Sequence, residues 1–294
     1  MAVRLKQEYL RTEQDRCKAG QAEGKDVPYG MGSGIGENGR KLDALGQLVL
    51  RRKGYQCLGR LGRGAFSRVY CVKKEQGGGV CACKISENSN ILEKEAHVMA
   101  KLGHSLFPGY IDWWKEAGLG FLLSEYVAGS SMEEMLDRRG YFTAGQTARA
   151  GMVLAEGLGY LHGMRERFLF RDVKPANIMI RQDGMVKLID LGCVCSLEAG
   201  VSSRAGTPGY AAPEQLAGKG ALTTACDVYG LGRTLEKMLG EGRKTQGKGD
   251  FYGEGRQERK RHGKLKRILE DCTREEAWRR IQDMEGVISE LKRL

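Results

Sequence analysis

Four polar residues within 169–192 have the types and the spacing that phosphoryl transfer requires: Asp172, Lys174, Asn177 and Asp190. One carboxylate can accept the proton of an attacking hydroxyl, and a lysine can offset charge on the transferred phosphate. An amide and a second carboxylate can hold Mg²⁺, which prefers oxygen ligands. An isolated Asp-x-x-x-x-Asn spacing also occurs by chance in loops, so further motifs are needed.

The elements around these residues can be predicted from local sequence. The proline within 170–177 can neither continue a helix nor donate to a sheet, which indicates a loop there. Residues 185–189 alternate as an apolar strand after a turn at 183–184. Loop and strand end can therefore lie side by side and present Asn177 and Asp190 to one metal ion.

Composition indicates a globular protein. The chain has 294 residues, 41% of them apolar and 29% charged, enough for one large domain or two small ones. No apolar run approaches the roughly 18–20 residues of a membrane span. The N-terminus lacks the apolar core of a signal peptide. These features predict a cytoplasmic location.

The nine cysteines include two Cys-x-Cys pairs, Cys81 with Cys83 and Cys193 with Cys195. Structural zinc sites usually space their cysteines as Cys-x₂₋₄-Cys and add further Cys or His ligands. Disulfides are rare in the cytosol. We expect reduced, mostly buried thiols rather than zinc or disulfides.

The net charge of +11 is concentrated in one segment. Residues 240–267 contain ten basic and four acidic residues, a net charge of +6. Two interpretations are open, a solvated face or a docking patch for an acidic partner. No nucleic-acid-binding module accompanies the patch, so we expect no nucleic-acid partner.

Periodicity predicts an α+β protein in which a mainly β half precedes a helical half. Strands are predicted at 55–61, 70–73, 80–85 and 119–127. Helices are predicted at 90–102, 131–138, 143–163, 223–240 and 264–292.

Residues 1–50 are expected to form an N-terminal extension that is partly flexible. A short charged helix is possible at 1–18, and the segment 19–40 is rich in glycine. Residues 34–39 fit Gly-x-Gly-x-x-Gly, a dinucleotide-binding pattern. We expect neither a strand before it nor a helix directly after it, so the context that this pattern requires is absent.

Several motifs together resemble the eukaryotic-type (Hanks-type) protein kinase family, and their sequences look most like those of bacterial serine/threonine kinases. The stretch 169–192 resembles the catalytic loop and metal-binding turn, and Gly62-x-Gly64-x-x-Ser67-x-Val69 resembles the Gly-rich loop. The resemblance implies a two-lobe kinase domain over 51–294, with an N-lobe at 51–127 and a C-lobe at 128–294.

The resemblance also implies an ATP site. Lys84 in Ala82-Cys-Lys84 would contact the α- and β-phosphates and pair with an acidic residue of the next helix. Glu95 is favoured as that partner because Met99 and Leu102 share its helix face, and Glu93 is the alternative. The complete implied ATP-binding set is Leu61, Gly62, Gly64, Val69, Ala82, Lys84, the hinge residues Glu125 and Val127, Ser131 near the ribose, and Met179.

The segment 206–215 resembles the family's substrate-binding loop and Ala-Pro-Glu motif. By that resemblance Thr207 would bridge Asp172 and Lys174, and Glu214 would pair with Arg280. Asp227 would hold the backbone of the catalytic loop.

Three residues depart from the family pattern: Ser67, Phe170 and Leu191. In the family, the last two positions stack with a residue of the glutamate-bearing helix, here Met99. The replacements stay apolar, so the resemblance predicts a repacked stack that removes no catalytic atom.

The implied activity is transfer of the ATP γ-phosphate to serine or threonine hydroxyls of protein substrates, with Mg²⁺, or Mn²⁺ in its place, as the metal ion. Arg171 could engage a phosphorylated activation segment, where Ser202 and Ser203 are the favoured phosphosites. Two alternatives are a pseudokinase or scaffold that binds nucleotide or a partner without turnover, and a phosphotransferase that acts on small molecules.

Overall fold

The fold is described from a computed structural model, which covers residues 37–64, 67–199, 204–218, 221–240 and 256–294. The chain divides into two compact units. The β unit contains the described residues of Met1–Glu93 together with Ile111–Tyr126, and the helical unit contains those of Lys94–Tyr110 and Val127–Leu294. The α+β class and the order of its two halves are confirmed.

The β unit is built on a five-stranded sheet in the order β1-β2-β3-β5-β4. Its strands are β1 Tyr55–Arg63, β2 Ser67–Lys74, β3 Val80–Ser86, β4 Tyr110–Glu116 and β5 Leu119–Glu125. The pairs β1–β2, β2–β3 and β3–β5 are antiparallel. The alternating buried and partly buried residues of β2 follow the period of two that one covered sheet face produces.

An N-terminal helix, α1 Glu37–Arg52, covers this sheet and was not predicted from the sequence. Leu42, Val49 and Leu50 are buried in one apolar cluster with sheet residues that include Ile85. Their spacing of seven and eight residues puts them on one helix face. The expectation that no helix directly follows 34–39 is therefore wrong. Residues 1–36 lie outside the described residues, and with them the helix expected at 1–18.

The helical unit contains most of the remaining elements. Its helices, with α2 shared between the two units, are α2 Ser89–Met99, α3 Met132–Arg139, α4 Ala144–His162, α5 Pro213–Ala217, α6 Ala225–Met238, α7 Arg256–Cys272 and α8 Met284–Leu291. Short strands form a three-stranded sheet, β6 Gly129–Ser131, β8 Ile178–Arg181 and β9 Val186–Leu188, and a pair, β7 Phe168–Leu169 and β10 Cys195–Ser196.

The single helix predicted over 264–292 is wrong. The structure has α7 and α8 there, separated by irregular chain and a 3₁₀ turn at Ala277–Arg279. The apolar pattern runs through both helices, which is why periodicity merged them. The interruption allows Arg280 to turn inward, where its guanidinium binds Glu214.

No helix among the described residues is long and apolar enough to cross a membrane. The eight cysteines of the described ranges are free thiols. The cytoplasmic location stays a prediction.

Candidate active site

Asp227 of α6 holds the start of the segment 170–177, the predicted catalytic loop. One carboxylate oxygen accepts a hydrogen bond from the backbone N–H of Phe170 (2.8 Å), and the other accepts one from Arg171 (2.7 Å). The His162 Nε2 atom lies 2.8 Å from the first oxygen. Asp227 is only 1% exposed, so its charge is balanced by these contacts rather than by water.

Two further side chains hold the same loop, and sequence analysis missed both. Thr234, two turns after Asp227 on α6, donates its hydroxyl to the carbonyl of Val173 at 3.0 Å. The Gln215 side-chain amide donates to the carbonyls of Arg171 (2.6 Å) and Ala205 (2.5 Å). Neither residue has an unusual sequence context, so only its burial and contacts identify it.

Gly206 allows Gln215 to reach the catalytic loop. Its φ of +108° is a conformation that only glycine adopts readily. A Cβ atom there would lie 2.3 Å from Gln215 Nε2 and 2.8 Å from the Arg171 carbonyl oxygen. Glycine is therefore required at 206 both by its backbone conformation and by the close approach of Gln215 and Arg171.

The Asp172 carboxylate receives four hydrogen-bond donors. Oδ1 accepts from the backbone N–H (3.0 Å) and hydroxyl (2.7 Å) of Thr207. Oδ2 accepts from the Lys174 ammonium (2.8 Å) and the Asn177 amide (3.1 Å). Lys174 also donates to the Thr207 hydroxyl at 2.7 Å, so Thr207 bridges the acid and the lysine. The carboxylate that could accept a substrate proton is thus held in one orientation.

Asn177 and Asp190 lie on neighbouring chain segments. The N–H of Ile189 donates to the Asn177 carbonyl at 2.8 Å, which continues the β8–β9 ladder toward Asp190. The Asn177 side-chain nitrogen bonds Asp172, which orients the amide oxygen away from that carboxylate. An amide oxygen and an exposed carboxylate are hard donors of the type that Mg²⁺ takes, so these residues fit that ion.

Two non-glycine residues of the site have left-handed backbones: Arg171 (φ +66°) and Asp190 (φ +68°). Such conformations are uncommon and concentrate at functional positions. Arg171 directly precedes Asp172, and Asp190 itself carries a carboxylate of the site. The Arg171 side chain is buried and donates through Nε to the Cys193 carbonyl at 2.6 Å. Ser202 and Ser203 lie outside the described residues.

The thiols of Cys193 and Cys195 follow the predicted metal turn. Burial raises the pKa of both, to about 11 for Cys195, and the charges of Asp172 and Asp190 further raise that of Cys193. Both thiols are therefore protonated at neutral pH, the form that is a poor nucleophile and metal ligand.

Glu214 and Arg280 form a two-point ion pair, with nitrogen–oxygen distances of 2.6 and 2.8 Å. The Arg280 side chain is fully buried and also donates to the carbonyls of Arg274, Glu275 and Ala225. Because the guanidinium fork matches a carboxylate in geometry, this contact fixes α5 against the segment after α7.

In the β unit, the Gly-rich segment forms the β1–β2 hairpin. Gly62 lies opposite Val69, and Val69 lies opposite Lys84 of β3. Ala82 lies opposite Ser124 of β5. The register therefore places the expected phosphate and adenine contacts on adjacent strands of one sheet. Leu61 is exposed and Glu125 ends β5.

The two candidate partners of Lys84 differ in environment. Glu95 is buried, whereas Glu93 is exposed and pairs with Lys115 at 2.8 Å. A buried carboxylate requires a balancing partner more than an exposed, already paired one does. This difference favours Glu95, and its pairing with Lys84 stays a prediction.

The remaining predicted residues occupy the helical unit. Ser131 caps α3: its hydroxyl accepts from the Glu134 N–H, and Glu134 accepts from the Ser131 N–H. Met179 lies opposite Ser131 in the β6–β8 pair, and Val127 is buried. Capping explains Ser131 locally, and its predicted contact with the ribose stays a prediction.

The departures Phe170 and Leu191 are fully buried, and Met99 at the end of α2 is also buried. Their burial agrees with an apolar role for each. Mutual stacking of the three side chains stays a prediction.

Comparisons with known proteins place these observations in a family. Residues 55–291 match the family model described as the protein kinase domain. The chain is 31% identical over 189 residues to the human putative serine/threonine-protein kinase PRKY, with 61% of this chain and 66% of that protein covered.

Similar relatives occur elsewhere. Identity is 29% over 212 residues with serine/threonine-protein kinase B of the bacterium Synechocystis sp., covering 63% of this chain and 36% of that protein. It is 31% over 199 residues with mouse mitogen-activated protein kinase kinase kinase 3, covering 62% and 31%. The chain thus spans about a third to two thirds of the length of these relatives. Since the family model covers most of the chain, the protein belongs to the protein kinase domain family.

Proposed function

We propose that this protein is a serine/threonine protein kinase that transfers the γ-phosphate of ATP to hydroxyl groups of other proteins. The observation that carries the proposal is the set of contacts among Asp172, Lys174 and Thr207. These contacts hold a carboxylate and an ammonium group together, which supports their proposed roles as proton acceptor and phosphate-binding cation. The kinase names of the relatives support the same activity.

In the proposed reaction, Asp172 accepts the proton of the substrate hydroxyl as that oxygen attacks the γ-phosphate. Lys174 donates to the transferred group and offsets its negative charge. Asn177 and Asp190 would hold Mg²⁺, which when bound neutralises charge on the phosphates. Such catalysis consists mainly of positioning and electrostatic stabilisation, in line with the fixed orientation of the Asp172 carboxylate.

Most of the proposed nucleotide contacts belong to the β unit, and three, Val127, Ser131 and Met179, belong to the helical unit. Gly62 and Gly64 lack the side chains that would obstruct a close approach of the hairpin backbone to the phosphates. Lys84, supported by Glu95, would contact the α- and β-phosphates. Leu61, Val69, Ala82, Glu125, Val127, Ser131 and Met179 would complete the adenine and ribose contacts.

Control by phosphorylation is a further part of the proposal. Arg171 adjoins the base and lies close to the Cys193 carbonyl, near the start of the activation segment. A phosphate on Ser202 or Ser203 would offer this arginine a stronger acceptor than a carbonyl.

Helix α7 supports a docking role for part of the basic region. Leu265, Ile268 and Leu269 are buried, whereas Arg259, Lys260, Lys264, Lys266 and Arg267 are exposed. We propose that this basic face binds an acidic segment of a protein partner.

The kinase proposal is tested with purified protein, Mg²⁺, labelled ATP and a generic protein substrate. We expect labelled phosphoserine or phosphothreonine, reduced by about 10²–10⁴ in Asp172→Asn, the usual contribution of a general base. The matched control is Asp183→Asn, the same change in an exposed turn eleven residues away.

The other outcomes separate the alternatives. Nucleotide binding without transfer would favour a pseudokinase or scaffold. Label confined to a small metabolite would favour a small-molecule phosphotransferase. Equal activity in Asp172→Asn and Asp183→Asn would remove Asp172 from the mechanism.

A further inference from the structure

The Gly-rich hairpin of the β unit is tied to a single buried arginine. Arg68, in β2, is 4% exposed. Its Nη1 atom donates to the carbonyl oxygens of Gly64 (3.1 Å) and Ser67 (2.9 Å). The two carbonyls flank the turn of the hairpin, so one guanidinium nitrogen links its two arms.

This arginine is paired with an acid from α1, a helix that lies before the matched family segment. Arg68 Nε lies 3.5 Å from Asp43 Oδ1. Tyr70 donates its hydroxyl to the same carboxylate oxygen at 2.5 Å, and Arg60 Nη1 lies 3.6 Å from the other oxygen. Burial and the bond to Asp43 raise the pKa of Tyr70 far above its ordinary value, so Tyr70 remains a donor.

Asp43 therefore contacts both strands of the hairpin, Arg60 on β1 and Arg68 and Tyr70 on β2. Its own position is fixed by packing. Gly46, three residues later, approaches β3 so closely that a Cβ atom would lie 2.8 Å from the Ile85 Cδ1 atom. A carboxylate on a firmly packed helix can hold a partner that is otherwise mobile.

We propose that Asp43 is a positioning residue for nucleotide binding, which acts through Arg68 to set the carbonyls and amides of the Gly-rich hairpin. The inference rests on the proposed kinase function, because that function assigns the hairpin to the ATP phosphates. Without Asp43 the buried Arg68 charge loses its counter-charge. The guanidinium is then drawn toward water, and its bonds to Gly64 and Ser67 weaken.

The main test compares Asp43→Asn with Glu116→Gln. Glu116 pairs with Arg52 (3.8 Å) and Lys53 (3.7 Å), so it tethers the opposite end of α1 to the sheet without touching the hairpin. We expect Asp43→Asn to raise the KM for ATP about five- to tenfold, with kcat changed less than about twofold. Glu116→Gln should leave both constants within about twofold of wild type.

A second measurement does not depend on catalysis. Hydrogen–deuterium exchange of the protein without nucleotide should become faster in peptides covering 62–69 in Asp43→Asn but not in Glu116→Gln. If the wild type shows no phosphoryl transfer while the exchange difference is present, the kinase proposal fails and the positioning role of Asp43 stands. If transfer occurs but the exchange rate and the KM of Asp43→Asn match those of the control, the positioning role of Asp43 is wrong.

Arg68→Lys provides a variant that keeps a cation beside Asp43. A lysine is a single point donor and cannot reproduce the bonds to both carbonyls. It should raise the KM for ATP as Asp43→Asn does, with a smaller loss of stability. The double variant should be no worse than the more affected single variant, whereas additive effects would contradict a shared pathway.

Discussion

The catalytic loop and the Gly-rich hairpin are held in opposite ways. The loop is fixed by buried side chains that come from distant sequence positions, Asp227, Thr234 and Gln215, each bonded to its backbone. The hairpin depends, beyond its own strand ladder, on the contact between Arg68 and a partly exposed Asp43.

The difference follows from the two tasks that we propose. Proton acceptance requires the Asp172 carboxylate in one place, since a displacement of about an ångström is costly in rate. A segment that binds a nucleotide must also let it leave, and a single ion pair with a partly exposed carboxylate holds the hairpin less firmly than several buried hydrogen bonds would. Two Asp→Asn changes, one in each region, test the contrast directly.

Asp227→Asn should have the largest effect, destabilising the fold by about 3 kcal/mol. The amide keeps one acceptor oxygen, but its NH2 group would face the second buried backbone N–H, which then has no acceptor. Asp43→Asn should cost less, about 1–2 kcal/mol, because its carboxylate is partly exposed and the buried Arg68 keeps its two carbonyl acceptors. Urea unfolding of both variants measures the difference. Equal costs would show that the two regions are held with similar strength.

Gln215→Leu should have an intermediate effect. It leaves the carbonyls of Arg171 and Ala205 without their donor, at about 2 kcal/mol in total. We expect kcat to fall about tenfold through displacement of the catalytic loop, with the KM for ATP unchanged. That is the reverse of the pattern expected for Asp43→Asn. The same change at the exposed Gln182, Gln182→Leu, is the control. A changed KM with constant kcat in Gln215→Leu would contradict the proposed difference between the two regions.

Alkaline pH should have the smallest effect, through two thiols of the helical unit, Cys195 and Cys272. Burial raises the pKa of Cys195 to about 11 and of Cys272 to about 12, from 9.0. The unfolded chain therefore loses these thiol protons first. Stability from this source is intact below pH 9 and falls as the pH rises toward the folded values. Urea unfolding at pH 8 and pH 10.5 should show the decrease, and Cys272→Ala should reduce it. If the free energy of unfolding of wild type and of Cys272→Ala differed by the same amount at both pH values, the assignment to Cys272 would be wrong.

The sequence indicated candidate catalytic and metal-binding residues, and it missed the side chains that hold the loop around them. Asp172, Asn177 and Asp190 stand out as candidates because phosphoryl transfer constrains both their types and their spacing. Gln215 and Thr234 act through single hydrogen bonds to backbone carbonyls, which many polar side chains could form, so no local pattern distinguishes them.

The errors in the predicted secondary structure have a similar cause. The apolar stripe of α1 was hidden within a glycine-rich, charged stretch, and its buried face became evident only against the sheet. The break between α7 and α8 arises because Arg280 turns inward to Glu214, a long-range contact that periodicity does not register.

Helix α1 has a consequence for where this protein can be shortened. A chain that began at Tyr55, where the family match starts, would uncover the apolar sheet surface on which Leu42, Val49 and Leu50 pack. An exposed apolar patch of that kind promotes self-association. Such a fragment would contain every side chain proposed for catalysis and yet tend to aggregate, because the family match begins after a helix on which the fold depends.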